Sequence, residues 1–551
     1  MNNSISKVAT ADMESLYRIF TVAEAPDSTL GQIEKEISEN LAGFLNERIV
    51  ARAVSLADIE RDFCNAEVPE QPTFVSEHTQ FLLDKLVANS VHTAAPSFIG
   101  HMTSALPYFM LPLSKIMIAL NQNLVKIETS KAFTPLERQV LGMMHSLVFA
   151  QSKRFYQTYM HSESNSLGAF CSGGTLANIT ALWVARNNLL KAQGDFKGVS
   201  REGMFRALTH YGYQGVAVLV SNRGHYSLAK AADVLGIGRD NLVAIDVNAE
   251  HKVLVAQMRS KAAELAEKNI KVMAIVGVAG TTETGNIDPL DELADLATEL
   301  NCHFHVDAAW GGATLFSNKH KALLKGIERA DSVTIDAHKQ MYVPMGSGIV
   351  LFKQPELASE IEHHAEYVLR KGSKDLGSHT LEGSRPGMAM LVYSALKVLG
   401  RQGFELLINR SIKQAGYFAE LINQQADFEL VSQPELCILT YRYVPQAIKN
   451  LLLNTEDESK QAYINEKLDD LTRFVQKYQR EAGRSFVSRT RLTCEKYPDQ
   501  TITVFRVVLA NPLTTEQILQ DVLTEQAEIA KLSQFALPAL NELLLSESLT
   551  G

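Results

Sequence analysis

Between residues 210 and 352 the chain alternates short, wholly apolar runs with longer segments in which apolar residues recur every three or four positions. Val216–Val220, Leu242–Val247, Val272–Val278 and His303–Val306 have the length and β-branched content of buried strands. Lys252–Lys268 and Pro289–Leu300 carry the helical spacing between them. Val333–Ile335 and Met345–Phe352 add two more β-prone runs. Strands and helices in regular succession predict a mostly parallel sheet with helices on both faces.

The flanks have a different texture. Residues 1–90 mix polar and apolar positions, and Ser28–Ile37 has the spacing of an amphipathic helix without any chemistry in it. Such an arm packs on the body or on a second subunit. Pro96–Thr103 opens a loop punctuated by glycine and proline. A helix is predicted to start at Thr134 as N-cap, with Pro135 in first position and Glu137 completing a capping box. Glu366–Arg385, rich in glycine, serine and charge, reads as a mobile loop of the kind that supplies lids. After an apolar helix at Gly387–Gly400 come strand-like Glu435–Tyr441, Ser485–Thr493 and Thr501–Leu509, with a charged, solvent-facing helical segment at Asn454–Gly483. The expected organisation is a helical arm over 1–95, a large domain over 96–386 and a small C-terminal α/β domain over 387–551.

At 551 residues, 46% hydrophobic and 21% charged, the chain is an ordinary globular one, too long for one simple core. A net charge of −9 leaves no basic footprint for nucleic acid. No apolar run is long enough to span a bilayer, and the first residues lack a signal-peptide core. Five cysteines (Cys64, Cys171, Cys302, Cys437, Cys494) are dispersed without metal-ligand spacing. They point to reduced thiols in the cytoplasm and to no metal site.

Candidate chemistry gathers at the predicted strand ends. His303-Phe-His-Val-Asp-Ala-Ala-Trp-Gly-Gly places Asp307 where a strand gives way to a loop, and Val333–Ile335 delivers Asp336-Ala-His-Lys to the next. Ligands of parallel α/β sheets bind beyond the carboxyl ends of the strands. A carboxylate and an amine there suit a cofactor that bonds to a lysine and pairs its pyridinium nitrogen with an aspartate, namely pyridoxal 5'-phosphate. Singly, such an Asp is a turn residue and a His-Lys pair is solvated surface; on successive strands they reinforce one another. Ser172-Gly-Gly-Thr, between an apolar run and a helical pattern reaching Leu190, suits an anion at a helix N-terminus, though it lacks the lysine of a Walker loop. His225 follows one strand end, where an imidazole can stack on a flat ring, and Thr281 and Thr282 follow another, where turn chemistry alone also accounts for them. His101 sits in a loop within reach of a substrate group. Arg506, the one charge in an apolar strand, requires a partner: a structural carboxylate, or a substrate carboxylate gripped bidentately.

Taken together, these motifs resemble the group II, fold-type I decarboxylases that use pyridoxal phosphate on amino acids. The likeness covers roughly residues 90–551 and is most specific in His-Val-Asp-Ala-Ala-Trp-Gly-Gly, Gly326-Ile-Glu-Arg-Ala-Asp-Ser-Val-Thr and Asp-Ala-His-Lys. It implies a fold-type I transferase-like architecture, with Lys339 carrying the cofactor and Asp307 facing its ring nitrogen. His225 would stack on one face, with Ala309 on the other. Gly173, Gly174 and Thr175 would bind the phosphate, Thr282 would lie by the cofactor, and His338 would neighbour both lysine and substrate. Arg506 falls in the family's Phe-Arg-x-Val-x-x-Asn-Pro and implies an acidic substrate. The helical arm and Asn121–Ser130 fit the branch that converts L-aspartate to β-alanine, a pantothenate precursor; glutamate and cysteine sulfinate are the alternatives. Transamination, desulfuration or a non-catalytic regulator are alternatives of another class. The resemblance also implies a homodimer with sites at the subunit interface. The family's mobile loop often carries a proton-donating tyrosine, which Gly377–Pro386 lacks, so His379 or Tyr367 is expected in that role.

Overall fold

The computed structural model describes residues 29–47, 49–364 and 372–550. Seven strands form the main sheet: β1 (Gly168–Cys171), β2 (Gly215–Ser221), β3 (Leu242–Ile245), β4 (Ile270–Val278), β5 (His303–Asp307), β6 (Ser332–Asp336) and β7 (Gly348–Phe352). Their spatial order is β1-β7-β6-β5-β4-β2-β3. Every pairing from β3 to β6 is parallel, and β7 alone runs against its neighbours. The uninterrupted apolar runs follow from this. Val218, Val220, Ala274 and Val276 are buried under helices on one face, Leu219 and Ile275 on the other. Each large side chain so buried contributes about 1.5–3 kcal/mol, and the strand ends inherit that rigidity.

A smaller, wholly antiparallel sheet has the order β10-β11-β9-β8, built from β8 (Phe428–Ser432), β9 (Ile438–Tyr443), β10 (Ser488–Cys494) and β11 (Tyr497–Val508). The helices that matter below are α1 (Met110–Leu120), α2 (Phe133–Phe149), α3 (Gly174–Leu189), α4 (Ala389–Gln424) and α5 (Glu458–Ala482). The charged α5 does not lie free in solvent: it is amphipathic and buries Ile464, Leu468, Leu471 and Val475.

Two local expectations are corrected. α2 starts one residue before Thr134, which is buried inside the first turn and bonds the Ser130 hydroxyl at 2.6 Å. Glu137 makes no capping box, because its carboxylate is taken by the two terminal guanidinium nitrogens of Arg385, both side chains being buried. That ion pair also bears on the predicted mobile loop. Residues 365–371 lie outside the described residues, but 375–385 are anchored to the body. Gly377 N–H donates to Val125 O, Leu124 N–H to Arg385 O, and Asp375 accepts from Ile127 N–H.

Candidate active site

β1, β2, β4, β5 and β6 all point the same way, so their carboxyl ends open on one edge of the sheet. A cavity of about 280 Å³ lies there. Gly173, Gly174 and Thr175 enter it from the end of β1, His225 from β2, Thr282 from β4, Asp307 and Ala309 from β5, and His338 and Lys339 from β6. A larger hollow of about 710 Å³ opens at the opposite edge beside His303 and Lys353 and contains none of these groups.

Asp307 is 6% exposed. Ala309 N–H donates to one of its oxygens at 3.1 Å and Asn178 Nδ2 to the other at 2.8 Å. Lys339 Nζ lies 3.1 Å from Asp336 Oδ2, and His338 Nε2 lies 3.6 Å from the same oxygen. Asp336 is 3% exposed, and its other oxygen and His338 Nδ1 are buried without a hydrogen-bond partner. Burial holds the His338 imidazole below its ordinary pKa, against the pull of Asp336. The same holds for His225, where burial outweighs Asp307.

At the start of α3 the backbone must come close. A Cβ on Gly174 would stand 2.7 Å from Asp336 Oδ2, whereas one on Gly173 would meet only His338 Cε1 at 3.7 Å. The first N–H groups of a helix have no intrahelical acceptor, and Thr175 adds a hydroxyl. Ser172 N–H is already taken by Glu382 at 2.9 Å. Gly174→Ala is therefore expected to lower stability by about 1–3 kcal/mol through overpacking and to weaken pyridoxal phosphate binding. Gly173→Ala should do much less to stability. Urea unfolding and cofactor titration of the two variants check this, and equal stability losses would contradict it.

Arg506 on β11 lies behind the cavity lining. Its terminal nitrogens donate to Thr282 O and Gly100 O, each at 3.1 Å, and its Nε is buried without a partner. It makes no ion pair among the described residues. On the neighbouring strand β9, by contrast, Arg442 is buried against Glu429 at 2.7 Å. Burial lowers the Arg506 pKa, with Glu283 opposing. His101 is exposed and outside the cavity lining. Partial burial and the positive charges of Arg506 and Lys339 hold it below the usual histidine range. His379 is buried and away from the lining, its Nδ1 2.9 Å from Ser378 Oγ, and burial pushes it down to about 4. Tyr367 lies outside the described residues.

Three residues in the lining escaped sequence reasoning. Asn178 sits inside α3, where an amide looks like one more helix residue. Asp336 opens the Asp-Ala-His-Lys motif, but nothing in the sequence marks it as the lysine's partner. Arg223 is nearly buried, with two bonds from its Nη2 to Thr493 and its Nε unpartnered. Its position after β2, two residues before His225, was the available signal.

These residues suit pyridoxal phosphate: buried polar atoms on Asp336 and His338 lack partners, and glycine keeps the start of α3 open where a Cβ would strike Asp336. A family model described as the pyridoxal-dependent decarboxylase conserved domain matches residues 60–444. Over 539 residues the chain is 66% identical to an aspartate 1-decarboxylase of Aliivibrio fischeri, covering 98% of each protein. The crystal structure of mouse CSAD superimposes with a TM-score of 0.79 at 21% identity, covering 92% of this chain and 99% of that one. The glutamate decarboxylase domain of a Vibrio parahaemolyticus diaminobutyrate-pyruvate transaminase and L-2,4-diaminobutyrate decarboxylase gives 0.76 at 20%, covering 93% and 98%.

Proposed function

The chain belongs to the pyridoxal-dependent decarboxylase family, and from that premise we propose that it releases the α-carboxylate of L-aspartate as carbon dioxide, leaving β-alanine. The observation that carries the substrate is the 66% identity, end to end, with a protein of that name. When bound, pyridoxal phosphate supplies the electron-accepting ring on which such chemistry depends. The chain's own residues hold and orient. Lys339 would carry the cofactor, Asp307 face its ring nitrogen, Gly173, Gly174 and Thr175 take the phosphate, and His225 and Ala309 cover its two faces. Thr282 and His338 would border the substrate space, with His101 near its mouth.

Arg506 would meet the side-chain carboxylate. It is a half-buried guanidinium bonded only to carbonyl oxygens, and a charge withdrawn from water without a counter-ion favours an acidic ligand. Arg223 adds a second arginine, this one in the lining itself. Aspartate and glutamate differ by one methylene, worth about 1–3 kcal/mol in a pocket, so the pair of cations selects the class and cavity length the member. Exposed apolar side chains on α1 (Leu111 53%, Ile116 47%, Ile118 70%) support the reading that a second copy covers this helix and completes the site. No helix among the described residues is long and apolar enough to cross a membrane.

The test is a panel of L-aspartate, L-glutamate and L-cysteine sulfinate with cofactor-loaded protein, reading carbon dioxide and amine products. β-Alanine formation should dominate in kcat/KM, and preferred turnover of glutamate would overturn the assignment. Arg506→Met should reduce kcat/KM for aspartate by about 10²–10³-fold, the scale of a truncated buried charge contact. Its affinity for pyridoxal phosphate should be nearly unchanged. A matching loss of both would make Arg506 structural.

A further inference from the structure

One side chain ties together the two groups proposed to flank the ring. Asn178 is 1% exposed, and both protons of its Nδ2 are committed, one to Asp307 Oδ2 at 2.8 Å and one to Ser227 Oγ at 3.0 Å. Ser227 in turn addresses His225 twice. Its hydroxyl lies 2.9 Å from His225 Nδ1, and its backbone N–H points at the same atom at 3.3 Å.

A backbone N–H only donates, so His225 Nδ1 must be an acceptor. The Ser227 hydroxyl, having accepted from Asn178, donates to the same nitrogen. Burial keeps His225 neutral, and its single ring proton is therefore on Nε2. Nε2–H is then the only donor His225 has left for the cavity it lines.

The amide itself is locked from behind. Its Oδ1 lies 3.0 Å from Nε2 of His305, a fully buried residue whose imidazole burial pushes down to about 4. With Asn178 turned over, its carbonyl oxygen would confront the Asp307 carboxylate, two acceptors with no proton between them. His305 therefore carries its proton on Nε2 and donates to Asn178. Its Nδ1 then accepts from the Ser332 hydroxyl at 2.8 Å and makes no hydrogen bond with the Ser332 carbonyl, itself an acceptor, at 3.2 Å. The Ser332 hydroxyl accepts from His303 Nε2 at 2.7 Å. Every proton in the chain from His303 to His225 has one consistent direction.

We infer that Asn178 is a positioning residue that holds the Asp307 carboxylate and, by orienting the Ser227 hydroxyl, reinforces the His225 tautomer that the Ser227 backbone N–H requires, through an amide whose orientation is fixed by His305, Ser332 and His303. The inference rests on the roles proposed above for Asp307 and His225. It predicts that the site is a single coupled unit rather than two independent side chains. Asn178→Asp keeps the shape but turns the donor facing Asp307 into an acceptor. Ser227→Ala removes the hydroxyl branch to His225, and with it the acceptor of one Asn178 Nδ2 proton, but leaves the backbone N–H and the Asn178–Asp307 bond in place.

The experiment pairs cofactor titration with imidazole ¹⁵N spectra of histidine-labelled protein, His225 being assigned with His225→Gln. The wild type should show His225 neutral with its proton on Nε2. Asn178→Asp should raise the dissociation constant for pyridoxal phosphate about 10- to 100-fold, the scale of a hydrogen bond to a charged group, and alter the His225 signal. Ser227→Ala should alter that signal with less than about a threefold change in cofactor affinity. A wild-type proton on Nδ1 overturns the inference without any variant having to fold. So does an Asn178→Asp protein that binds the cofactor as tightly as wild type. Neither readout depends on which amino acid is consumed, so a wrong substrate leaves this inference standing.

Discussion

Lys339→Ala should lose turnover by roughly 10⁴- to 10⁶-fold, the scale of deleting a covalently acting group, and should also lose stability. The second expectation comes from its partner. Lys339 Nζ is 3.1 Å from a carboxylate oxygen of Asp336 that is itself 3% exposed. Removing one member of a buried pair leaves the other uncompensated and costs about 3–5 kcal/mol. His338, 3.6 Å from the same oxygen, recovers part of that if it takes up a proton, which burial opposes. Lys339→Arg separates the two effects: it keeps a cation for Asp336 but cannot carry the cofactor. It should be as inactive as the alanine variant and markedly more stable. Borohydride reduction followed by peptide mass analysis reads the attachment, and urea unfolding reads the stability. Cofactor fixed to any other residue of the wild-type chain would remove Lys339 from its proposed role.

The asymmetry between what could and could not be read from the residues has a physical origin. Strand ends were legible because a strand buried on both faces must be a short apolar run, and the run stops where the backbone leaves the sheet. Asp307, Lys339, His225 and the glycines before α3 follow such stops directly, and the parallel topology brings them to one edge. Asn178 and Asp307 are 129 positions apart, and no periodicity marks an amide on a helix as the partner of a carboxylate at a strand end. Thr134 misled for a related reason. Thr-Pro-x-Glu satisfies a helix start locally, but Arg385, 248 residues downstream, offers Glu137 a buried ion pair that a backbone N–H does not match. The smaller sheet shows both outcomes on adjacent strands, since Arg442 met Glu429 while Arg506 met only carbonyl oxygens. That difference, invisible in the strand sequences, is what separates a structural arginine from one available to a ligand.

Asp307→Asn should show the opposite balance of stability and activity. Asp307 makes no ion pair among the described residues; its buried carboxylate is held only by Asn178 and the Ala309 N–H. Burying a charge without a counter-ion is costly; the neutral isostere removes that cost but its amide can accept from only one of the two donors, so the cofactor-free fold should stay within about 1–2 kcal/mol of wild type. A site that stores such a cost is where stability and function trade against each other. The catalytic loss should be about 10²–10³-fold in kcat, the scale for removing one preorganised electrostatic contact. The KM for aspartate should change little, because the substrate's side-chain carboxylate is assigned to Arg506. Asp307→Glu should recover little of the loss, since the added methylene moves the carboxylate off the positions set by Asn178 Nδ2 and the Ala309 N–H. Thermal unfolding of the cofactor-free proteins, set beside steady-state kinetics of the loaded ones, reads both quantities. Loss of stability comparable to Lys339→Ala, with kcat intact, would mean that Asp307 serves the fold and not the ring. Retained stability with a collapsed kcat is the signature of a charge kept in the interior for a ligand.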